Sequence, residues 1–246
     1  MSKICPNCHK EFTECEINCS YCELPLMLKR NGLIVTSEQD ANMRVISRLN
    51  EHSIFLESLY KAILLINLRN CAIEKDGKPQ FINERSFAYE LYRLWNITKP
   101  SHLIVNAEVT KRIEDKFEEK AVEIFGEEKH CLYPDIVLHG GQFDSANQEI
   151  ICELKVSSNL NSDSLIKDLK KLKAYTTKED ILYHEFKTGV FILVNGDSEL
   201  IAKKLPNESI DWILTSKIVF VSILLDDWNI IPTIKTPSEI IQIKKL

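Results

Sequence analysis

Two apolar runs near the middle of the chain each carry charge where a buried strand ordinarily has none. The first, Tyr133 to His139, reads YPDIVLH; the second, Glu149 to Val156, reads EIICELKV. Taking a charge out of water is costly unless it is paired or binds a metal. Asp135, Glu153 and Lys155 therefore either lie at a strand edge in water or converge on a site. Alternation along a strand puts Glu153 and Lys155 on one face, and leaves Ile150, Cys152, Leu154 and Val156 free to face the core. If the first run pairs with the second as a hairpin, Asp135 lies beside Glu153. Carboxylates that close repel each other and have raised pKa values unless a cation binds. A hard divalent cation prefers such oxygen ligands, and Mg²⁺ commonly takes one or two carboxylates plus phosphate and water.

The rest of the chain supplies a frame for these strands. Residues 83–95 (NERSFAYELYRLW) form a helical pattern with Phe87, Leu91, Leu94 and Trp95 on one face. Residues 103–109 read as a strand, 111–125 as a charged helix-prone stretch, and 164–176 as a helix with the stripe Leu165, Leu169 and Leu172. Residues 189–196 and 218–225 are buried strands flanking a short helix at 199–205. The order α, β, β, β, α, β, α, β predicts an α/β domain with a mixed sheet flanked by helices. Upstream, 75–79 is a turn, and apolar residues from Met43 to Ile66 keep helical spacing with a break near 50–53.

Pro134-Asp135 followed by Glu153-x-Lys155 resembles the motif of the PD-(D/E)XK nuclease superfamily. The likeness runs in order through NERSFAYELY, NAEV, PDIVLH, CELK and DLKKL, and covers residues 83–225. It implies a restriction endonuclease-like α/β/α core and Mg²⁺- or Mn²⁺-dependent hydrolysis of phosphodiester bonds, with DNA as the expected substrate. Carried over by residue, Asp135 and Glu153 would hold the cation, and Lys155 would orient the attacking water and offset phosphate charge. Glu84, with Glu90 as the alternative, would complete the acidic site. Lys167, Lys170 and Lys171 belong to a basic stripe that could follow a phosphate backbone, with a solvated helix face as the plain alternative. Asp168 and Lys171 could be a surface ion pair, and His139 a phosphate ligand or a plain strand-end histidine. Intact motif positions favour an active enzyme over a silent nucleic-acid-binding or regulatory subunit. Cutting both strands of a duplex calls for two sites, which a homodimer would supply.

The first 22 residues hold five of the chain's eight cysteines. Cys5-Pro-Asn-Cys8 and Cys19-Ser-Tyr-Cys22 have the spacing of two thiolate turns gripping one tetrahedral, structural Zn²⁺; Cys15 and His9 are spare candidates. The pattern resembles a short zinc ribbon, which could dock a protein partner or nucleic acid, or cap its own chain. An interaction adaptor built on this ribbon is a further reading of the chain. The expected organisation is a ribbon at 1–35, a helical linker at 36–78 and the nuclease-like domain at 79–246. A zinc ribbon joined to such a domain suggests restriction, mobile-element or phage-defence biology. A net charge of −5 excludes a generally basic nucleic-acid binder, so phosphate contacts must come from a local patch or bound cations. No secretory signal or membrane span is visible in the sequence, so a cytoplasmic protein is expected.

Overall fold

The computed structural model describes residues 2–4, 11–12, 27–29, 42–43, 45–47, 53–108, 111–112, 119, 122, 131–141, 144, 146–177, 185–226 and 228–245. The chain divides into two compact units, Met1–Arg44 and Val45–Leu246. In the first, β1 (Ser2–Ile4) pairs antiparallel with both β2 (Glu11–Phe12) and β3 (Met27–Lys29). Cys5, Cys8, Cys19 and Cys22, with Cys15 and His9, lie outside the described residues.

The second unit is an α/β domain around a six-stranded mixed sheet. Helix α1 (Ser53–Leu64) leads into the hairpin of β4 (Ala72–Lys75) and β5 (Lys78–Ile82). Its two-residue turn, Asp76-Gly77, has φ of 53° and 78°. Both central residues left-handed is the turn whose twist matches a hairpin, and Gly77 adopts it without a Cβ penalty. Helix α2 (Glu84–Thr98) starts at Asn83, whose side chain accepts from the Ser86 amide at 3.0 Å. This cap fixes Glu84 in the first turn, where the helix dipole favours a carboxylate.

Strands β6 (Ile104–Ala107), β9 (Ile136–His139), β10 (Gln148–Val156), β11 (Thr188–Val194), β12 (Ile218–Asp226) and β13 (Asn229–Lys235) make the sheet, in the order β13-β12-β11-β10-β9-β6. The central strands β10, β11 and β12 are parallel, while the outer pairings are antiparallel. The short pair β7 (Lys111–Arg112) and β8 (Cys131–Leu132) stands apart from it. Sequence alone suggested a helix from residue 111, but strand pairing overrides the helical propensity of Lys111 and Arg112.

Helices α3 (Ser162–Thr176), α4 (Ser198–Lys204), α5 (Ile210–Leu214) and α6 (Pro237–Lys244) cover one sheet face. Leu165, Leu169 and Leu172 of α3 join Val137, Ile151, Phe191, Leu193 and Phe220 in a single buried cluster. α1 and α2 contact other parts of the sheet and each other, with Trp95 Nε1 donating to Ser58 Oγ at 2.9 Å. The central strand is thus buried on both sides, as parallel strands usually are. Glu153 is not on a solvated face: it is 1% exposed. No helix among the described residues is long and apolar enough to cross a membrane.

Candidate active site

The expected pairing of the two charged strands is present. Ile136 lies opposite Cys152 in antiparallel register, and the Asp135 amide donates to the Cys152 carbonyl at 3.2 Å. Asp135 is thereby the cross-strand neighbour of Glu153. Its carboxylate Oδ2 accepts from the Leu154 amide at 2.6 Å, a bond just past the last ladder pair. Burial pushes the Asp135 carboxyl above its usual range, against the Leu154 hydrogen bond and the charges of Lys155 and Lys171; Glu84 adds to the rise.

Glu153 Oε2 accepts from Lys171 Nζ at 2.7 Å, while Glu153 Oε1 is buried with no hydrogen-bond partner among the described residues. Burial drives this carboxyl well above the ordinary range. Lys171 opposes the shift, and Asp135 and Asp168 reinforce it. Lys171 Nζ also reaches Asp168 Oδ1 at 2.8 Å. The Asp168–Lys171 pair is therefore enclosed under the sheet face, with Asp168 4% exposed. Lys155 Nζ lies 3.4 Å from Asp168 Oδ2 and 3.8 Å from Glu84 Oε1. The first distance is an ion pair without hydrogen-bond geometry, since Asp168 Oδ2 has no hydrogen-bond partner. Burial works to lower the Lys155 ammonium, but Asp168, Glu84, Asp135 and Glu153 outweigh it and raise its pKa.

Glu84 reaches the same place from α2, its Oε2 accepting from the Val156 amide at 3.4 Å. Glu90 does not: it is held by Arg93 through two bonds of 2.9 Å and by Asn70 at 2.9 Å. A cleft of about 130 Å³ opens beside the cluster, lined by Glu84, Arg85, Ala88, Tyr89, Ala107, Glu108, Asp135 and Leu154. Glu153 and Lys155 are not in that lining. Glu108 holds a left-handed backbone, φ 52°, with its amide donating to the Asp135 carbonyl at 3.0 Å. For a residue with a Cβ this conformation costs roughly 1–2 kcal/mol.

Of the remaining sequence candidates, Lys167 is exposed and Lys170 half-buried on α3, while Lys171 is turned inward onto two carboxylates. His139 is buried, its Nε2 2.7 Å from Asn106 Oδ1. Tyr175 was not singled out in the sequence. Its buried hydroxyl has no hydrogen-bond partner, and burial, then Glu153, Asp135 and Asp168, push its pKa well up. The signal was helical spacing: Asp168, Lys171 and Tyr175 sit three and four residues apart, on one stripe of α3.

The donors fit a hard cation. Glu84, Asp135 and Glu153 supply only oxygen, and Glu153 Oε1 is a buried acceptor lacking a partner. Among the described residues, no three His, Cys, Asp or Glu side chains converge on one point as a finished metal cage. Asp135 Oδ2 is engaged by the Leu154 amide, and Glu153 Oε2 by Lys171. No protein-family model, curated protein or solved structure matches this sequence.

Proposed function

We propose that the chain is a divalent-cation-dependent nuclease of the PD-(D/E)XK type, hydrolysing phosphodiester bonds in DNA. The observation that carries this reading is the cross-strand placement of Asp135 beside Glu153, with Lys155 two residues on and Glu84 facing it from α2. Asp135 and Glu153 would hold Mg²⁺ or Mn²⁺, with Glu84 as the third carboxylate. When bound, the cation supplies Lewis-acid polarisation of the phosphodiester. Lys155 brings positive charge to the phosphoryl oxygens as negative charge builds there. Asp168 and Glu84 steer the Lys155 ammonium by their ion pairs. Arg85 and Tyr89, on the cleft wall, would meet the phosphate backbone and a base. Zinc, held by Cys5, Cys8, Cys19 and Cys22, would be structural, and defence against foreign DNA is the biology we favour.

A second reading, a silent nuclease fold that binds nucleic acid or regulates a partner, draws on Lys171 already holding Glu153. One assay separates the two. Plasmid and single-stranded DNA are incubated with Mg²⁺ or Mn²⁺ and wild type, Asp135→Ala or Lys155→Ala. The nuclease reading expects cleavage by wild type and loss of at least a hundredfold in both variants, with circular dichroism and zinc content unchanged. DNA binding without cleavage on any substrate would instead support the silent fold.

A further inference from the structure

Acidic groups outnumber basic ones around Glu153. Four carboxylates, on Glu84, Asp135, Glu153 and Asp168, share a space with two ammoniums, on Lys155 and Lys171. A second cation would have to sit among side chains as enclosed as Glu153 and Asp168, where unpaired charge is costly.

The geometry says where the second would have gone. Lys171 Nζ bridges Glu153 Oε2 at 2.7 Å and Asp168 Oδ1 at 2.8 Å. A positive centre bridging two acidic oxygens is what a second metal provides in paired-metal sites. Lys171 provides it with a covalently tethered charge. Of the two Glu153 oxygens, Oε1 is then the one without a partner among the described residues. Resting on the nuclease reading, we propose that this site takes one divalent cation, held by Asp135 and Glu153, and that Lys171 stands in the place of a second. Lys171 is thus a positioning residue that sets the metal count.

Mn²⁺ titration followed by electron paramagnetic resonance tests this, using the full-length zinc-loaded protein. Bound Mn²⁺ is counted from the loss of the free-ion signal, with Asp135→Ala marking which ions belong to the site. The expected wild-type result is one Asp135-dependent Mn²⁺ per chain, with the spectrum of an isolated ion. Lys171→Gln keeps a hydrogen-bond donor and removes the charge; it should admit a second ion and give a spin-coupled pair. A merely structural Lys171 would leave the count at one. Two Asp135-dependent ions in wild type, or one in both forms, overturns the proposal. If Lys171→Gln does not fold, the wild-type count and spectrum still decide. No Asp135-dependent ion in either form overturns the nuclease reading itself, and the metal count falls with it.

Discussion

Replacing Lys171 by Met removes the cation between Glu153 and Asp168 while keeping most of the side-chain volume. Each contact is under 3 Å, which at an effective dielectric near 20 corresponds to roughly 6 kcal/mol of Coulomb attraction per pair. Much of that is offset by the cost of bringing three charges out of water. What remains after truncation is a buried carboxylate without its partner, a change that costs about 3–5 kcal/mol. The sign with pH follows from both partners. The Lys171 ammonium has a raised pKa, so its contribution is fully present across neutral pH and is lost only in strong alkali. Glu153 already has a raised pKa and loses its main opposing charge in the variant. It then takes up a proton more readily, so the penalty shrinks as pH falls. Urea denaturation at pH 8 and at pH 5, without added divalent cation, measures this. The double variant Glu153→Gln/Lys171→Met should recover about half or more of the loss at pH 8. A Lys171→Met midpoint within error of wild type at pH 8, or a penalty that grows on acidification, would refute the buried-pair account.

The cation-free protein should lose stability as pH rises above about 4, because the native state binds protons at Asp135 and Glu153 more tightly than the unfolded chain does. Glu153→Gln should flatten that slope in urea titrations between pH 5 and 8; equal slopes would remove burial of Glu153 as its cause. Glu84→Gln should abolish cleavage, whereas Glu90→Gln should leave turnover intact and cost about 1–3 kcal/mol, since Glu90 is engaged by Arg93 and Asn70. Trp95→Ala should cost about 3–5 kcal/mol in urea midpoints, since Trp95 is fully buried and bonded to Ser58.

How far the sequence reached depended on how local each cause was. Period-two alternation put Asp135 beside Glu153 only on the condition that the two charged runs pair, and the structure supplies that pairing. The helix bearing Glu84 was readable from its stripe, whereas Asn83 as its cap comes from the structure. β13 was missed because Pro232 interrupts its apolar run; the strand lies at a sheet edge, where a missing amide is tolerated. α6 was missed although Thr236, Pro237 and Glu239 form a capping box with proline at the first turn. The inward turn of Lys171 could not be read locally. It depends on α3 covering the sheet face that carries Ile151 and Glu153, a tertiary choice that a leucine stripe does not specify. The same choice places Tyr175 among the acidic groups.

The pairing of β10 has a dynamic corollary. From Ile150 to Val156 it is hydrogen-bonded in register to β11, and at its start also to β9. Glu153 and Lys155 therefore cannot shift independently of the sheet. Glu84 is mounted differently, in the first turn of a helix, where amides fray most easily. The site thus has a rigid wall and a compliant one. Adjustment to an incoming phosphodiester would fall on the α2 terminus, and amide exchange there, far more than along β10, would change when substrate engages.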